Sequence, residues 1–243
     1  GVVLLFTDLT EVKRLARAAE LNRQLAQIGE LTAGVVHELR NPLSVVSGMA
    51  ELLVRRLDKE PSLREKAQAV LNEAAEMGKL ITQFLGFARP FELKCEHCRA
   101  RQIVERTRNQ CAELARERGV GIEVLALASD LPFEGDPGAL VQALGNILRN
   151  AIEVSEPGKT VTLSATGDET WIQLQVADQG PGINLAPGED LFSPFFSKRE
   201  GGTGLGLSIA QRAVAAHGGT IAHANRNQGG ALFTVRIPRS RAG

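Results

Sequence analysis

The sequence predicts a helical hairpin that dimerises into a four-helix bundle, followed by an α/β sandwich. Three observations carry this reading. Apolar residues recur every seven positions in the first third of the chain. A second amphipathic helical run follows a turn at Asp58-Lys59-Glu60-Pro61-Ser62. Beyond about residue 98 the pattern switches to alternating helices and strands. The 243 residues suffice for two domains. With 43% hydrophobic and 23% charged residues, the chain has an ordinary globular composition rather than a disordered one. Its formal charge of zero gives no electrostatic reason to expect nucleic acid or an anionic membrane surface. No run approaches the ~18 apolar residues of a spanning helix, and no signal peptide is visible. We therefore expect no membrane contact in this fragment and a cytoplasmic location. The chain starts at Gly1 rather than Met, so an anchor further upstream stays open.

Val2 to Phe6 reads as a strand ending in Thr7-Asp8-Leu9-Thr10. One strand cannot stand alone, so residues 1–10 are expected to close a truncated upstream domain. Residues 11–57 read as a long helix. Leu21, Ile28 and Val35, with Leu25 and Thr32, form a heptad seam that asks for a partner helix. Pro42 is expected to interrupt and bend it. A second helix runs over 63–88, with Val70, Met77 and Leu80 on its apolar face. Two helices bury this seam poorly, and dimerisation solves the problem. These elements make a domain of residues 11–89, followed by a linker over 90–98.

Residues 99–243 form the second domain. A helix over 99–118 precedes a strand over 121–126. Asp136 and Pro137 start the next helix as N-cap and first helical residue. Strands follow at 160–166 and 171–177, then a loop over 178–203 rich in Gly, Pro and Phe. A helix at 205–216 closes on His217-Gly218-Gly219. The strands 221–224 and 231–237 flank Asn227-Gln228-Gly229-Gly230 as a hairpin. Cys95-Glu96-His97-Cys98 lacks a fourth ligand at useful spacing, so we expect a structural role rather than a zinc site.

Four constellations can carry chemistry. His37, an imidazole with a free ring nitrogen, is a nucleophile at neutral pH. Glu38 can take its proton, and Asn41 lies one helical turn on. Asn146 and Asn150 stand four apart, so their amides face the same way, and amide oxygens suit Mg²⁺. Asp178 ends a strand, where a carboxylate can accept from an exocyclic amine such as adenine's. Gly180 and Gly182 then let the backbone approach a flat ring. Gly202-Thr203-Gly204-Leu205-Gly206 opens a helix and can cradle phosphates. This is no Walker loop, because its Lys-Ser/Thr pair is missing. Phe192, Phe195 and Phe196 give the preceding loop apolar anchors.

Taken in order, these motifs resemble a two-component sensor histidine kinase over residues 11–238. His37 to Pro42 resembles the H box, Asn146 to Asn150 the N box, and Asp178 to Gly182 the first glycine box. Phe192 to Phe196 resembles the F box, and Gly202 to Leu207 the second glycine box. Gly29 to Gly34 and Pro194-Phe195-Phe196 resemble the nitrogen-regulation type. The opening strand resembles the end of a PAS domain. The resemblance implies a dimeric hairpin joined to an ATP-binding sandwich of the histidine kinase, gyrase and heat-shock chaperone superfamily.

It implies ATP and Mg²⁺ as ligands, and a homodimer and a response regulator receiver domain as partners. Carried over, His37 accepts the phosphoryl group, Glu38 is its acid–base partner, and Asn41 positions water during dephosphorylation of the regulator. Asn150 binds Mg²⁺, Asn146 supports the γ-phosphate region and Asp178 reads adenine. Gly180, Gly182, Phe192, Gly202, Thr203, Gly204, Leu205 and Gly206 line the nucleotide, and Lys198 is a lid cation. Two positions depart from the pattern. Glu153 stands where many members carry Lys or Arg, and Lys198 comes one residue early. A superfamily ATP hydrolase is the first rival, but it would use Glu where this chain has Asn146. A non-catalytic dimeric adaptor is the second, and it has no need of Asp178 with the glycine cradle.

Overall fold

The computed structural model describes residues 39–57, 59–88, 93–127, 132–199 and 202–240. The opening strand, the heptads at 21–35, His37 and Glu38 lie outside the described residues. The chain divides into two compact units, Gly1–Pro90 and Phe91–Gly243.

In the first unit, helix α1 covers residues 39–56 and α2 covers Pro61–Ala88. Helix continues on both sides of Pro42, so this proline does not interrupt α1. A proline removes only its own N–H, so the helix after it keeps its donors. Pro61 opens α2 two residues before the apolar pattern begins, as its fixed φ permits at a first helical position. The amides of Leu63 and Arg64 donate to the Glu60 carbonyl and set that first turn. The buried hairpin positions are small: Ala50, Ala67 and Ala74. A Cβ at Gly78 would stand 3.6 Å from Leu43 Cδ2, an ordinary packing distance between α2 and α1. The large apolar residues are exposed, Val46, Met49 and Leu53 on α1 and Leu63, Val70 and Met77 on α2.

The second unit begins with strand β1, Glu96–Arg99, in a stretch that reads as linker in the sequence. It pairs antiparallel with β3, Pro132–Gly135, a strand the apolar pattern did not reveal. Both are only 4 residues long, too short for a period-two signature to emerge. Helix α3, Ala100–Arg118, ends at Gly119 in the left-handed region. Strand β2, Gly121–Leu127, precedes β3, and α4 spans Pro137–Val154. Strands β4, Thr160–Gly167, and β5, Trp171–Ala177, follow. Helix α5, Gly206–Ala216, leads into β6, Thr220–Asn225, and β7, Ala231–Pro238.

The main sheet runs β2-β4-β5-β7-β6. Among the described strands of this sheet only the β2–β4 pair is parallel. Alternation along β4, β5 and β7 buries one face, including Leu163, Leu174 and Val235. Helices α3, α4 and α5 cover that face, with α4 touching both its neighbours. The outer face is polar: Ser164 Oγ donates to Gln175 Oε1, and Gln175 Nε2 donates to Thr234 Oγ1. A helix layer on one sheet face is the α/β sandwich the sequence predicts.

Asp136 caps α4 as expected, its Oδ1 accepting from the Ala139 amide at 3.0 Å. Leu140, Leu144, Ile147, Leu148 and Ile152 are buried, which fixes the opposite side of α4, with its asparagines, toward α5 and the loop before it.

Candidate nucleotide site

Asp178 leaves the end of β5 with 2% exposure. Its Oδ1 accepts from the amides of Gly180 at 2.9 Å and Ala231 at 3.0 Å. Its own N–H donates to the Ala231 carbonyl, and Arg226 Nη1 donates to its carbonyl oxygen at 2.6 Å. The carboxylate is thus held by one oxygen, and Oδ2 can accept from an incoming donor. Gly180 and Gly182 are close-approach positions, but for neighbours within the fold. A Cβ on Gly180 would come within 2.9 Å of the Val154 carbonyl at the end of α4, and one on Gly182 within 2.9 Å of Asn225 Oδ1.

Asn146 and Asn150 face the same way along α4 and meet different segments. Asn146 Nδ2 donates to the Gly206 carbonyl at 3.1 Å, fixing the start of α5. Asn150 Oδ1 accepts from Arg199 Nη2 at 2.8 Å. Helix α5 has no side-chain cap, so its first amides remain donors for an anion. Leu205, its N-cap, is buried and donates its N–H to Thr203 Oγ1. Gly204 sits at φ +65, and a Cβ there would fall 2.4 Å from the Phe195 carbonyl carbon. Phe195 is itself at φ +64, so this contact joins the F box to the second glycine box through backbone alone. A Cβ on Gly202 would stand 2.3 Å from Ser197 Oγ.

Phe192 is buried, its ring 5.8 Å from that of His223, which lies 6.3 Å from Phe233. It anchors the loop to the sheet. Lys198 is engaged within its own loop. Its Nζ contacts Glu189 Oε2 at 2.5 Å and donates to the Asn184 carbonyl at 2.6 Å. The bond from Lys198, with the Ala186 amide, holds the Glu189 carboxyl below its ordinary range. The lid cation that reaches α4 is Arg199, whose Nη1 lies 2.5 Å from Glu153 Oε2. The departure at Glu153 therefore has a partner: an acid on the helix meets a base on the lid.

Sequence reasoning missed Arg199, Asn225, Arg226 and Gly230. Asn225 Oδ1 accepts from Ile183 N–H at 2.6 Å, and its Nδ2 donates to the Ile183 carbonyl at 2.9 Å. Gly230 packs its α-carbon against the Asp178 carbonyl, where a Cβ would stand at 2.1 Å. The turn glycines were the only signal at that hairpin, and they mark a turn without saying what it touches. Asn41 is exposed on α1. Among the described residues no group of three or more His, Cys, Asp or Glu could hold a metal. Cys95, Cys98 and Cys111 form no disulfide among the described residues, and burial above all pushes the Cys98 and Cys111 thiols up.

Residues 135–241 match the model of the histidine kinase-, DNA gyrase B- and HSP90-like ATPases, and residues 27–90 match the His kinase A phosphoacceptor domain. The sensory histidine kinase/phosphatase NtrB of Vibrio alginolyticus is 32% identical over 95% of this chain and 69% of its own. This chain belongs to the sensor histidine kinases. The signal transduction kinase AtoS of Escherichia coli K12 is 35% identical over 98% of the chain and 39% of its own length. The sensor kinase chain thus spans between 39% and 54% of the first curated relatives it matches. Full-length ShkA in complex with AMPPNP superimposes with a TM-score of 0.74 and 29% identity, over 88% of this chain and 47% of that one. ThkA bound to the response regulator TrrA does so with a TM-score of 0.65 and 26% identity, over 96% and 68%. The chain carries a helical region that matches the phosphoacceptor domain, followed by a sandwich that matches the ATPase family. No helix among its described residues is long and apolar enough to cross a membrane.

Proposed function

We propose that this chain binds Mg²⁺-ATP at the end of β5 and α4, phosphorylates His37, and passes the phosphoryl group to an aspartate of a response regulator. The observation that carries the nucleotide assignment is Asp178. It is buried, tethered through Oδ1, and has Oδ2 left to accept an amine. The open N-terminus of α5 lies within reach of the same helix, α4, through Asn146. Asn150 Oδ1 already accepts from a cationic group, the Arg199 guanidinium, so its place suits a positive charge. Asn150 would hold Mg²⁺, which supplies charge neutralisation across the phosphates.

The chain's own groups then position and orient. Asp178 accepts from adenine, and the amides around Gly204 to Gly206 face the phosphates. A His37 ring nitrogen uses its lone pair to form the new N–P bond. The bond from the γ-phosphorus to the bridging oxygen breaks, and ADP leaves. Glu38 takes the imidazole proton. The aspartate of the receiver then displaces the histidine, and Asn41 positions water when the regulator is dephosphorylated. Asn146 has no proton-accepting oxygen anion, which disfavours simple ATP hydrolysis. ATP as substrate goes with work in the cytoplasm. The exposed apolar residues of α1 and α2 support a homodimeric bundle.

Incubation with γ-labelled ATP and Mg²⁺ tests this, wild type beside His37→Gln. Label that is lost in acid, survives base and is absent from the variant is the expected result. Phosphate release independent of His37 would overturn it in favour of a hydrolase.

A further inference from the structure

Glu153 lies three residues after Asn150 on α4, so the two side chains leave the helix on one side. The Arg199 guanidinium meets both, Nη1 with Glu153 Oε2 at 2.5 Å and Nη2 with Asn150 Oδ1 at 2.8 Å. The planar fork spans the carboxylate and the amide oxygen at once, one nitrogen on each. The neighbouring Lys198 is bound to Glu189 and the Asn184 carbonyl instead. The lid therefore places its guanidinium on the amide oxygen assigned above to the metal, and a carboxylate of the same helix balances the charge. A guanidinium and a divalent cation on one amide oxygen repel each other strongly.

We propose that Glu153 is a positioning residue. Through Arg199 it latches the lid onto α4, and Arg199 leaves Asn150 when a nucleotide's cation is bound there. The inference rests on Asn150 as a metal ligand. Glu153 keeps hold of Nη1 through the exchange, so the guanidinium turns off Asn150 and stays beside the phosphates. Only the Nη2 bond is given up. The acid at position 153 thus does not mark a lost cation: the cation is on the lid, and the helix carries its counter-charge.

Two measurements on the whole chain test this. The first is hydrogen exchange without nucleotide. Glu153→Gln should speed exchange of the lid amides at 195–199 and 202–205 about three-fold, the scale of a half-exposed ion pair. Amides in the middle of α4 should not change. The second is a Mg²⁺ titration of the binding of a fluorescent ATP analogue. Arg199→Gln should lower the half-maximal Mg²⁺ concentration roughly three- to ten-fold, because the competitor is gone. The double variant Glu153→Arg with Arg199→Glu should restore lid protection but bind the analogue more weakly than wild type, since a carboxylate then faces the phosphates.

Wild-type lid exchange in Glu153→Gln would overturn the latch. An unchanged or raised Mg²⁺ requirement in Arg199→Gln would overturn the exchange at Asn150. A wild type that binds no analogue at saturating Mg²⁺ would overturn the site reading and the metal half with it. The nucleotide-free comparison would still decide the latch.

Discussion

His217 Nε2 accepts the backbone N–H of Asp136 at 2.9 Å, so the C-terminal end of α5 holds the N-cap of α4. The ring is buried, and its Nδ1 lies 2.7 Å from the Ala213 carbonyl. That pairing fixes the neutral tautomer with the proton on Nδ1. His217→Ala leaves the Asp136 amide without this acceptor and opens a void. We expect a loss of about 3 kcal/mol, read by urea unfolding on Trp171, the chain's single tryptophan. A loss below about 1 kcal/mol would show that water replaces the ring.

Acid should weaken the sandwich through two carboxylates. The side chain and amide of Thr170, with the Trp171 amide, bring Asp168 from 3.8 to about 2. At Asp136 burial pushes the carboxyl up, but the amides of Ala139, Lys94 and Gly138 outweigh it and hold it below the ordinary value. Folded values below unfolded ones mean a contribution that is complete above the unfolded value of 3.8 and disappears as pH falls through the folded one. Asp168→Asn, which still accepts these bonds, should flatten the fall of the urea midpoint between pH values of about 4 and 2. An unchanged slope would mean that other groups set the acid limit.

Asp178→Asn separates folding from recognition. An asparagine oxygen can still accept from Gly180 and Ala231, so the melting temperature should hold. The group left for adenine becomes a donor facing a donor, and affinity for a fluorescent ATP analogue should fall roughly hundred-fold. Equal affinity would remove Asp178 from the site.

Gly204→Ala should abolish analogue binding at little cost to global stability, because the clash with Phe195 falls within the loop. Gly158→Ala is the control. It shares a positive φ of +83, but nothing lies within 4 Å of the added carbon. It should cost about 1 kcal/mol of backbone strain and leave binding intact. Equal binding in both variants would mean that the F-box contact is not needed.

The apolar face of the hairpin gives a further expectation. Met49 and Leu53 are 63% and 51% exposed in one copy of the chain. Changing both to Asp should convert a dimer to a monomer in sedimentation velocity, while the melting of the Trp171 unit stays unchanged. A wild-type monomer at micromolar concentration would sink the bundle.

The second unit was legible in its longer elements. Helix α4 shows its period through Leu140, Leu144 and Ile147 and its start through Asp136-Pro137, and β4, β5 and β7 alternate plainly. Strands β1 and β3 were not legible, because four residues carry no period and their pairing joins Cys98 to Phe133 across 35 positions. In the site, residue types and spacing singled out Asn146, Asn150 and Asp178, since glycine-flanked acids and paired amides are uncommon. Arg199 was invisible for a physical reason. Adjacent cations on a loop can point either way, and only the fold tells which one meets Glu153. The second glycine box was read as an anion cradle, but Gly204 is also required by Phe195, a constraint set by backbone proximity that no sequence pattern encodes.

The lid is fastened at both ends, by the buried Phe192 ring on one side and by the Asn146 amide on the Gly206 carbonyl on the other. Between these lie the thirteen residues 193–205, a contour of roughly 45 Å when drawn straight. Such a strap can bow outward by at most about half that length. Its sweep is therefore bounded by geometry, and Arg199 stays tethered within reach of the helix that carries Glu153 and Asn150.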